Sequence, residues 1–212
     1  MKVLRIIIWV LYPIILIMFF ASLLTTSPYL TISKGLYDSH DDITYDYDYV
    51  ASEIMSYLNY GRDDLLIGAD AEDESVIMRD IEIRHMEDVK DLYTILRLVA
   101  VGSLVVVIAI GVFMYKKDKA FLYESLRNIY WVPLMFVAFI GTWVLIDFGR
   151  LFTWFHQIFF TNDDWILRSD DVLIQLLPQA FWMVSGIIIL IGTVLGLLLT
   201  LYLNKKLLKQ KI

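Results

Sequence analysis

The sequence predicts an all-α membrane protein: four transmembrane helices, a small extracytoplasmic α(+β) cap, and both termini in the cytoplasm. Two observations carry this. The chain of 212 residues is 58% hydrophobic, above the ~45–50% usual for a soluble domain. The excess is gathered into four apolar runs, residues 6–24, 96–115, 129–148 and 180–203, each near the ~20 residues that cross a hydrocarbon core. Basic residues set the orientation. Segments 1–5, 116–128 and 204–212 hold ten Lys or Arg in 27 residues, whereas 25–95 and 149–179 hold seven in 102. Cytoplasmic loops are the ones enriched in Lys and Arg, so 25–95 and 149–179 are predicted to be extracytoplasmic. The whole chain, 1–212, reads as a single membrane domain.

The first run follows Lys2 and Arg5, as a signal peptide would. It is longer than a typical signal-peptide apolar core, and no A-x-A-like cleavage site follows. It is therefore expected to remain as a span, with Pro13 kinking a helix that its neighbours can tolerate. Charge enters only the second and third runs, as Arg97 and Asp147 near their ends, where snorkelling makes it acceptable. No internal repeat or low-complexity linker interrupts the chain.

The first external segment carries seventeen Asp and Glu in 71 residues. That charge disfavours nucleic acid and anionic lipid surfaces as partners, and most of these carboxylates read as a solvated face. The absence of cysteine excludes a disulfide-stapled ectodomain, thiolate catalysis and thiolate metal ligation. The segment must therefore order itself by packing. "YDYDYVASEIMSYLNYG" predicts a short extended piece and then a helix stopped at Gly61, with Val50, Ile54, Tyr57 and Leu58 on its buried face. "DLLIG" and "ESVIMRD" read as short strands.

"DIEIRHMEDVKDLYTILRLVAV" predicts a helix with Asp80 as its N-cap, running unbroken into the second span. At about 100° per residue, Met78, Ile81, His85, Val89, Leu92 and Leu96 form one stripe. Glu82 and Asp88 flank His85, one turn on either side. Arg79, Arg84, Glu87, Lys90 and Asp91 fall on the far face. His85 lies roughly 15 Å of helix before the second span, near the outer headgroup layer. "FTWFHQIFFTNDDW" puts a second histidine just beyond the third span. A helix over 151–163 would set Phe152, His156, Phe159, Phe160 and Asp163 on one face, in an aromatic segment of the kind that lies in a membrane interface. Two histidines from distant parts of the chain thus reach one depth, where lipid ester carbonyls reside.

Each histidine alone reads first as a hydrogen-bonded packing residue, the usual role of a lone histidine on an apolar face. Together with carboxylates they also make a metal-ligand set, although no H-E-x-x-H spacing occurs. His40, in "DSHDD", reads as a solvated loop residue. Neither G-x-S-x-G nor a glycine-rich phosphate loop is present.

The blocks "EIRHMEDVKDLY" and "FHQIFFTNDDWILRSDDVLIQLLPQAFW" resemble the two signature regions of the bacterial lipoprotein intramolecular transacylases, a four-span family. The resemblance extends to the layout of the whole chain, although residues 27–75 share only length and acidity. It implies a reaction without an enzyme nucleophile. The acyl chain on the sn-2 oxygen of a diacylglyceryl-modified N-terminal cysteine moves to that cysteine's own α-amine, giving the lyso form. The substrate brings both nucleophile and electrophile. The enzyme folds them together, takes a proton from the amine and returns one to the glyceryl oxygen, work suited to histidine.

By the same resemblance, His85 would be general base and then acid, with Glu82 or Asp88 orienting its ring. His156 would donate to the developing oxyanion or hold the amine. Phe155, Phe159, Phe160 and Trp165 would shape the acyl slot, and Asn162 and Asp163 would receive the polar cysteine end. No metal and no cofactor is expected. The partners would be the lipoprotein substrate and membrane lipid, with the site at the extracytoplasmic face of a bacterial cell membrane. Two other classes fit the same residues: a non-catalytic membrane assembly or sensor protein with an acidic ectodomain, and a lipid-ester hydrolase.

Overall fold

The computed structural model of the protein describes residues 1–34, 43–73 and 75–209, with the side chains of Ser27 and residues 207–209 excepted. His40 lies outside the described residues. Eight helices follow in order among the described residues: α1 (Lys2–Leu24), α2 (Ser27–Lys34), α3 (Tyr47–Leu58), α4 (Asp80–Lys117), α5 (Lys119–Arg127), α6 (Trp131–Phe159), α7 (Val172–Leu176) and α8 (Gln179–Lys209). Among the described residues four stretches are long and apolar enough to cross a membrane: α1, α4, Lys119–Phe159 and Gln179–Lys206 of α8. The protein is an all-helical, multi-pass membrane protein. The chain divides into two compact units.

One unit comprises Met1–Phe20, Leu96–Ile146 and Ile187–Ile212. Its packed centre is small, with Ile8, Met114, Leu122 and Ile129 as the buried members. Polar tethers supplement it. The Trp9 indole donates to the Ser125 carbonyl at 2.9 Å, Arg5 pairs with Glu124, and the Asn204 amide donates to the Tyr123 carbonyl. Pro13 sits buried inside α1, which continues through it. Gly192 and Gly196 of α8 face Phe20 and Leu16 of α1; a Cβ at Gly192 would sit 2.5 Å from the Phe20 ring. Such small-xxx-small spacing lets apolar helices approach where van der Waals contact is the main attraction.

The other unit comprises Ala21–Ile95 and Asp147–Gly186. Its core gathers α3, α7 and the start of α4: Val50, Ile54, Leu65, Ile67, Met86 and Leu176 are all buried. Burying each such side chain contributes roughly 1.5–3 kcal/mol before entropy is counted. The predicted face of α3 is the buried one, with Val50, Ile54, Tyr57 and Leu58 all inside. Asp46 caps α3, its carboxylate accepting from the Asp48 and Tyr49 amides.

Gly61 does stop this helix, but by contact and not by dihedral freedom. Tyr60 takes the left-handed conformation, at φ 62°. Gly61 N donates to Ser56 O and Tyr60 N to Tyr57 O, the paired bonds of a Schellman motif. A Cβ on Gly61 would stand 2.6 Å from Ser56 Oγ.

The two predicted short strands do not form, and no strand occurs among the described residues. "DLLIG" and "ESVIMRD" touch through a single backbone bond, Ile77 N to Ile67 O at 3.0 Å. Arg62 takes the place of a ladder by gripping the Asp64 and Leu66 carbonyls and the Glu53 carboxylate. Leu65 and Ile67 are thereby pinned into the core as anchors of a loop. Among the described residues this segment is therefore helical with loops, and the expected β part does not form.

Candidate active site

Every residue singled out around the two histidines belongs to the second unit. His85 is set by the first turn of α4. Asp80 is not the N-cap; it opens the helix, and Glu82 does the capping. The Glu82 carboxylate accepts from Arg79 N at 2.8 Å, the reach-back half of a capping box. Its other oxygen accepts from Leu173 N at 2.9 Å, at the start of α7. One carboxylate thus closes two helix N-termini, where the peptide dipoles favour a negative charge. Glu82 is only 1% exposed. Burial raises its pKa, opposed by those two N–H bonds.

Beside it, Arg79 grips the carboxylate of buried Asp171 with two nitrogens, and Arg168 N donates to the same group. Burial alone would raise the Asp171 pKa, but Arg79 and the Arg168 amide hold it below the ordinary value. Both Glu82 oxygens are therefore engaged by backbone, and neither is bonded to His85.

His156 is set by a restart of α6. Asp147 leaves helical geometry, at φ −159° and ψ 80°, and its carboxylate accepts from Arg150 N at 2.9 Å. That is an N-cap closing onto the third residue of a new helical piece. The charge near the end of the third apolar run thus has a local task. The new piece ends at Phe159, short of the 151–163 expected. Beyond it the chain turns back as a loop, and Phe160, Asn162 and Asp163 are not on a helix.

The loop is tied to α4 on both sides of His85. Arg84 grips Asp164, and the Asn162 amide donates to Asp88 at 2.8 Å. Asp164 is the residue the sequence did not single out. It acts electrostatically on His85, whereas neighbouring Asp163 lies exposed. Adjacent acids in "NDDW" carry no sequence signal to tell them apart.

The loop and helix ends bring the histidines together. Their ring centroids are 5.8 Å apart. His85 is 8% and His156 7% exposed. Phe160 packs edge-on to His85 at 5.2 Å. Trp165 lies over His156 at 5.0 Å, with Phe152 and Phe155 at 4.2 and 5.5 Å. Phe159 touches Phe155 but not the histidines, and is 45% exposed.

The two rings differ in their bonds. His156 Nδ1 lies 2.7 Å from the Phe152 carbonyl. A carbonyl can only accept, so this nitrogen carries the proton, and Nε2 of the neutral ring is an acceptor. His85 Nδ1 is buried without a partner among the described residues. Both histidines lie outside the four apolar runs. Burial, reinforced by His156, pulls the His85 pKa down to about 4, against a smaller pull upward from Asp88 and Asp164. Burial lowers His156 as well, opposed by its bond to Phe152. Burial therefore favours the neutral form of both rings.

The sequence profile of the lipoprotein intramolecular transacylase Lit family matches residues 1–182. An uncharacterized protein of Aquifex aeolicus (strain VF5) is 28% identical over 135 residues, 62% of this chain and 60% of the relative. The match thus spans less than two thirds of that relative's length. The structure is similar to an in meso structure of the membrane-integral lipoprotein intramolecular transacylase Lit from Bacillus cereus, with TM-score 0.76 and 20% identity, covering 99% of this chain and 96% of that one. A second structure of the Bacillus protein, carrying a histidine-to-arginine mutation, gives 0.75 at 21% identity over 99% and 92%. With 182 of its 212 residues matched by the family profile, the chain belongs to the lipoprotein intramolecular transacylase family.

Proposed function

We propose that this protein moves the sn-2 acyl chain of a diacylglyceryl-modified N-terminal cysteine to the α-amine of the same cysteine. The observation that carries the reading is the pair of neutral, buried histidines 5.8 Å apart, one with an unpaired Nδ1. The amine nitrogen attacks the ester carbonyl, the N–C bond forms, and the C–O bond to glycerol breaks. The proton lost by the amine must end on the glyceryl oxygen. His85 takes it and returns it, as general base and then acid. A pKa near 4 makes His85 a weak base but its protonated form a strong acid, which favours delivery to the alkoxide.

His156, with Nδ1–H committed to Phe152, offers an acceptor nitrogen. It is fitted to hold the amine N–H; donation to an oxyanion would need the ring protonated. Asp88 is better placed than Glu82 to bias His85, because both Glu82 oxygens are taken by backbone. Phe155, Phe160 and Trp165 exclude water around the rings, and Phe159 extends that wall outward. Asn162 and Asp164 hold the loop in place. Exposed Asp163 is free to meet the peptide end of the substrate.

Substrate and product are isomers, so intact mass does not distinguish them. The test is fragment-ion mass spectrometry of a synthetic diacylated lipopeptide incubated with the purified protein. N-acyl fragments and a monoacylglyceryl thioether are expected. Free fatty acid instead would make the protein a hydrolase, and unchanged substrate would favour a non-catalytic role.

The distribution of Lys and Arg supports an extracytoplasmic position for the histidine-bearing unit. The chain contains no cysteine, so single cysteines at Asp63 and Lys117 should label from opposite faces of sealed cells. Labelling of both from outside would reverse the assignment.

A further inference from the structure

A cavity opens near the histidines. It measures about 210 Å³, with Asp88, Asp91, Leu92 and Ile95 of α4 on one wall and residues 159–162 opposite. The four α4 positions follow i, i+3, i+4, i+7 spacing and so share one face. Their chemistry changes along it, from two carboxylates near His85 to two aliphatic side chains just before the apolar run at 96–115. Phe160 belongs to the cavity wall and also packs on the His85 ring at 5.2 Å.

The charge balance of this unit is informative. All five of its arginines are in salt bridges: Arg62 with Glu53 and Asp64, Arg79 with Asp171, Arg84 with Asp164, Arg150 with Asp147, and Arg168 with Asp170. Its two lysines, Lys34 and Lys90, lie on tyrosine rings. Among the described residues the cavity carboxylates receive no cation. Asp88 accepts only the neutral Asn162 amide, and Asp91 makes no hydrogen bond or ion pair among the described residues. Like charges one turn apart repel, and Asp91, Ile95 and Phe159 are exposed, so the two carboxylates stand at an open rim beside the apolar wall.

We propose that this cavity receives a primary ammonium carried on a diacylated glycerol, with Asp88 and Asp91 as its counter-charges and Leu92, Ile95 and Phe159 against the adjoining chain. The proposal rests on the transacylation reading and adds to it a site where the charged amine waits before deprotonation. Its polar-to-apolar order matches a ligand whose ammonium and hydrocarbon are a few bonds apart. Two molecules share that chemistry: a lipidated N-terminal cysteine and an aminophospholipid.

The test measures binding, with ligands that cannot react. A lipopeptide whose cysteine bears ether-linked dialkylglycerol, its α-desamino counterpart and an ether-linked phosphatidylethanolamine are titrated into the purified protein in zwitterionic micelles. The amine should bind about tenfold tighter than the desamino ligand, the size of one charge-assisted hydrogen bond. High salt should narrow that ratio. Asp91→Asn should reduce the preference, with desamino binding unchanged as the control for folding, and the Asp88→Asn, Asp91→Asn double variant should bring the preference close to one. If phosphatidylethanolamine equals the lipopeptide and loses affinity in the same variants, the ammonium site stands and its occupant is a lipid headgroup. Equal binding of amine and desamino ligands by the wild type, or an undiminished preference in the double variant, overturns the proposal. Because the ether ligands cannot be acyl donors, these outcomes are independent of whether the protein transfers, hydrolyses or does neither.

Discussion

The two stretches that carry the histidines solve the same problem in opposite ways. The His85 stretch is one uninterrupted helix, held from outside itself: Glu82 joins its N-terminus to that of α7, and Arg84 and Asp88 bind the loop. The His156 stretch is interrupted, restarted by its own Asp147 cap, and its histidine is bonded within its own turn to the Phe152 carbonyl. The difference appears in the rings. His156 has one nitrogen committed and a fixed tautomer. His85 has a buried nitrogen with no partner among the described residues. A buried polar atom left unpaired costs about 1–3 kcal/mol, a cost that a proton-transferring group recovers when substrate arrives. The contrast supports the proposed division of labour, with His85 moving the proton and His156 orienting the amine.

The largest expected effect breaks this contrast at His85. His85→Asn keeps size and polarity but removes the titratable ring, and transfer should fall by about 10²–10⁴-fold. Retention of most activity would make His85 a packing residue. A melting series supplies a second reading. The folded pKa of about 4 lies below the ordinary 6.5, so the unfolded chain takes up this proton first. Stability should be level above pH 6.5 and decline as pH falls from 6.5 towards 4. His85→Asn should show a shallower decline over that window.

Next in size is His156. His156→Ala should reduce turnover by about 100-fold, and the pH profile tells how the residue acts. A neutral Nε2 acceptor predicts activity that holds through pH 6.5 and falls only in more acidic buffer. Activity that rises as pH drops through 6 would mean a protonated ring donating to the oxyanion, and the contrast drawn from its tautomer would be wrong.

Glu82→Gln probes what holds the His85 stretch. A carboxamide retains one good acceptor oxygen for two buried N–H groups, so either Arg79 N or Leu173 N loses its partner. Unfolding should become easier by about 1–3 kcal/mol, read as a lowered Tm. Transfer at a temperature where the variant is folded should fall far less than for His85→Asn. A loss of transfer as large as that of His85→Asn, with Tm unchanged, would return Glu82 to the chemistry.

The same contrast explains what was legible in the sequence. Periodicity reads regular helices well, so the four apolar runs, the buried face of α3 and the stripe through His85 all appear from spacing alone. It extends a helix until a breaker appears, and none stands at Phe160, so the turn after Phe159 was invisible. That turn is fixed by Arg84 and Asp88, about 80 residues away in sequence. Glu82 was visible as a carboxylate one turn from His85, but spacing cannot show that Leu173 N would claim it. Likewise the strands expected at "DLLIG" and "ESVIMRD" had the right residues and no partner ladder. Their apolar side chains were needed in a helical core, and Arg62 satisfied the carbonyls that a sheet would have paired.

The smallest effect belongs to the outermost wall. Phe159 packs on Phe155, is 45% exposed, and lines the cavity beside Asp88 and Asp91. It touches neither histidine, so Phe159→Ala should leave the bases and their tautomers alone. It should widen the passage by which water reaches the ester. Amine and water compete for one carbonyl, and the amine's advantage is its proximity within the folded substrate. The total rate should therefore change little while the share of free fatty acid rises severalfold. Chromatography of both lipid products from one reaction measures the two quantities together. A fall in total rate with the ratio unchanged would mean that Phe159 positions the reacting groups, and the wall that excludes water would then be Phe155, Phe160 and Trp165 alone.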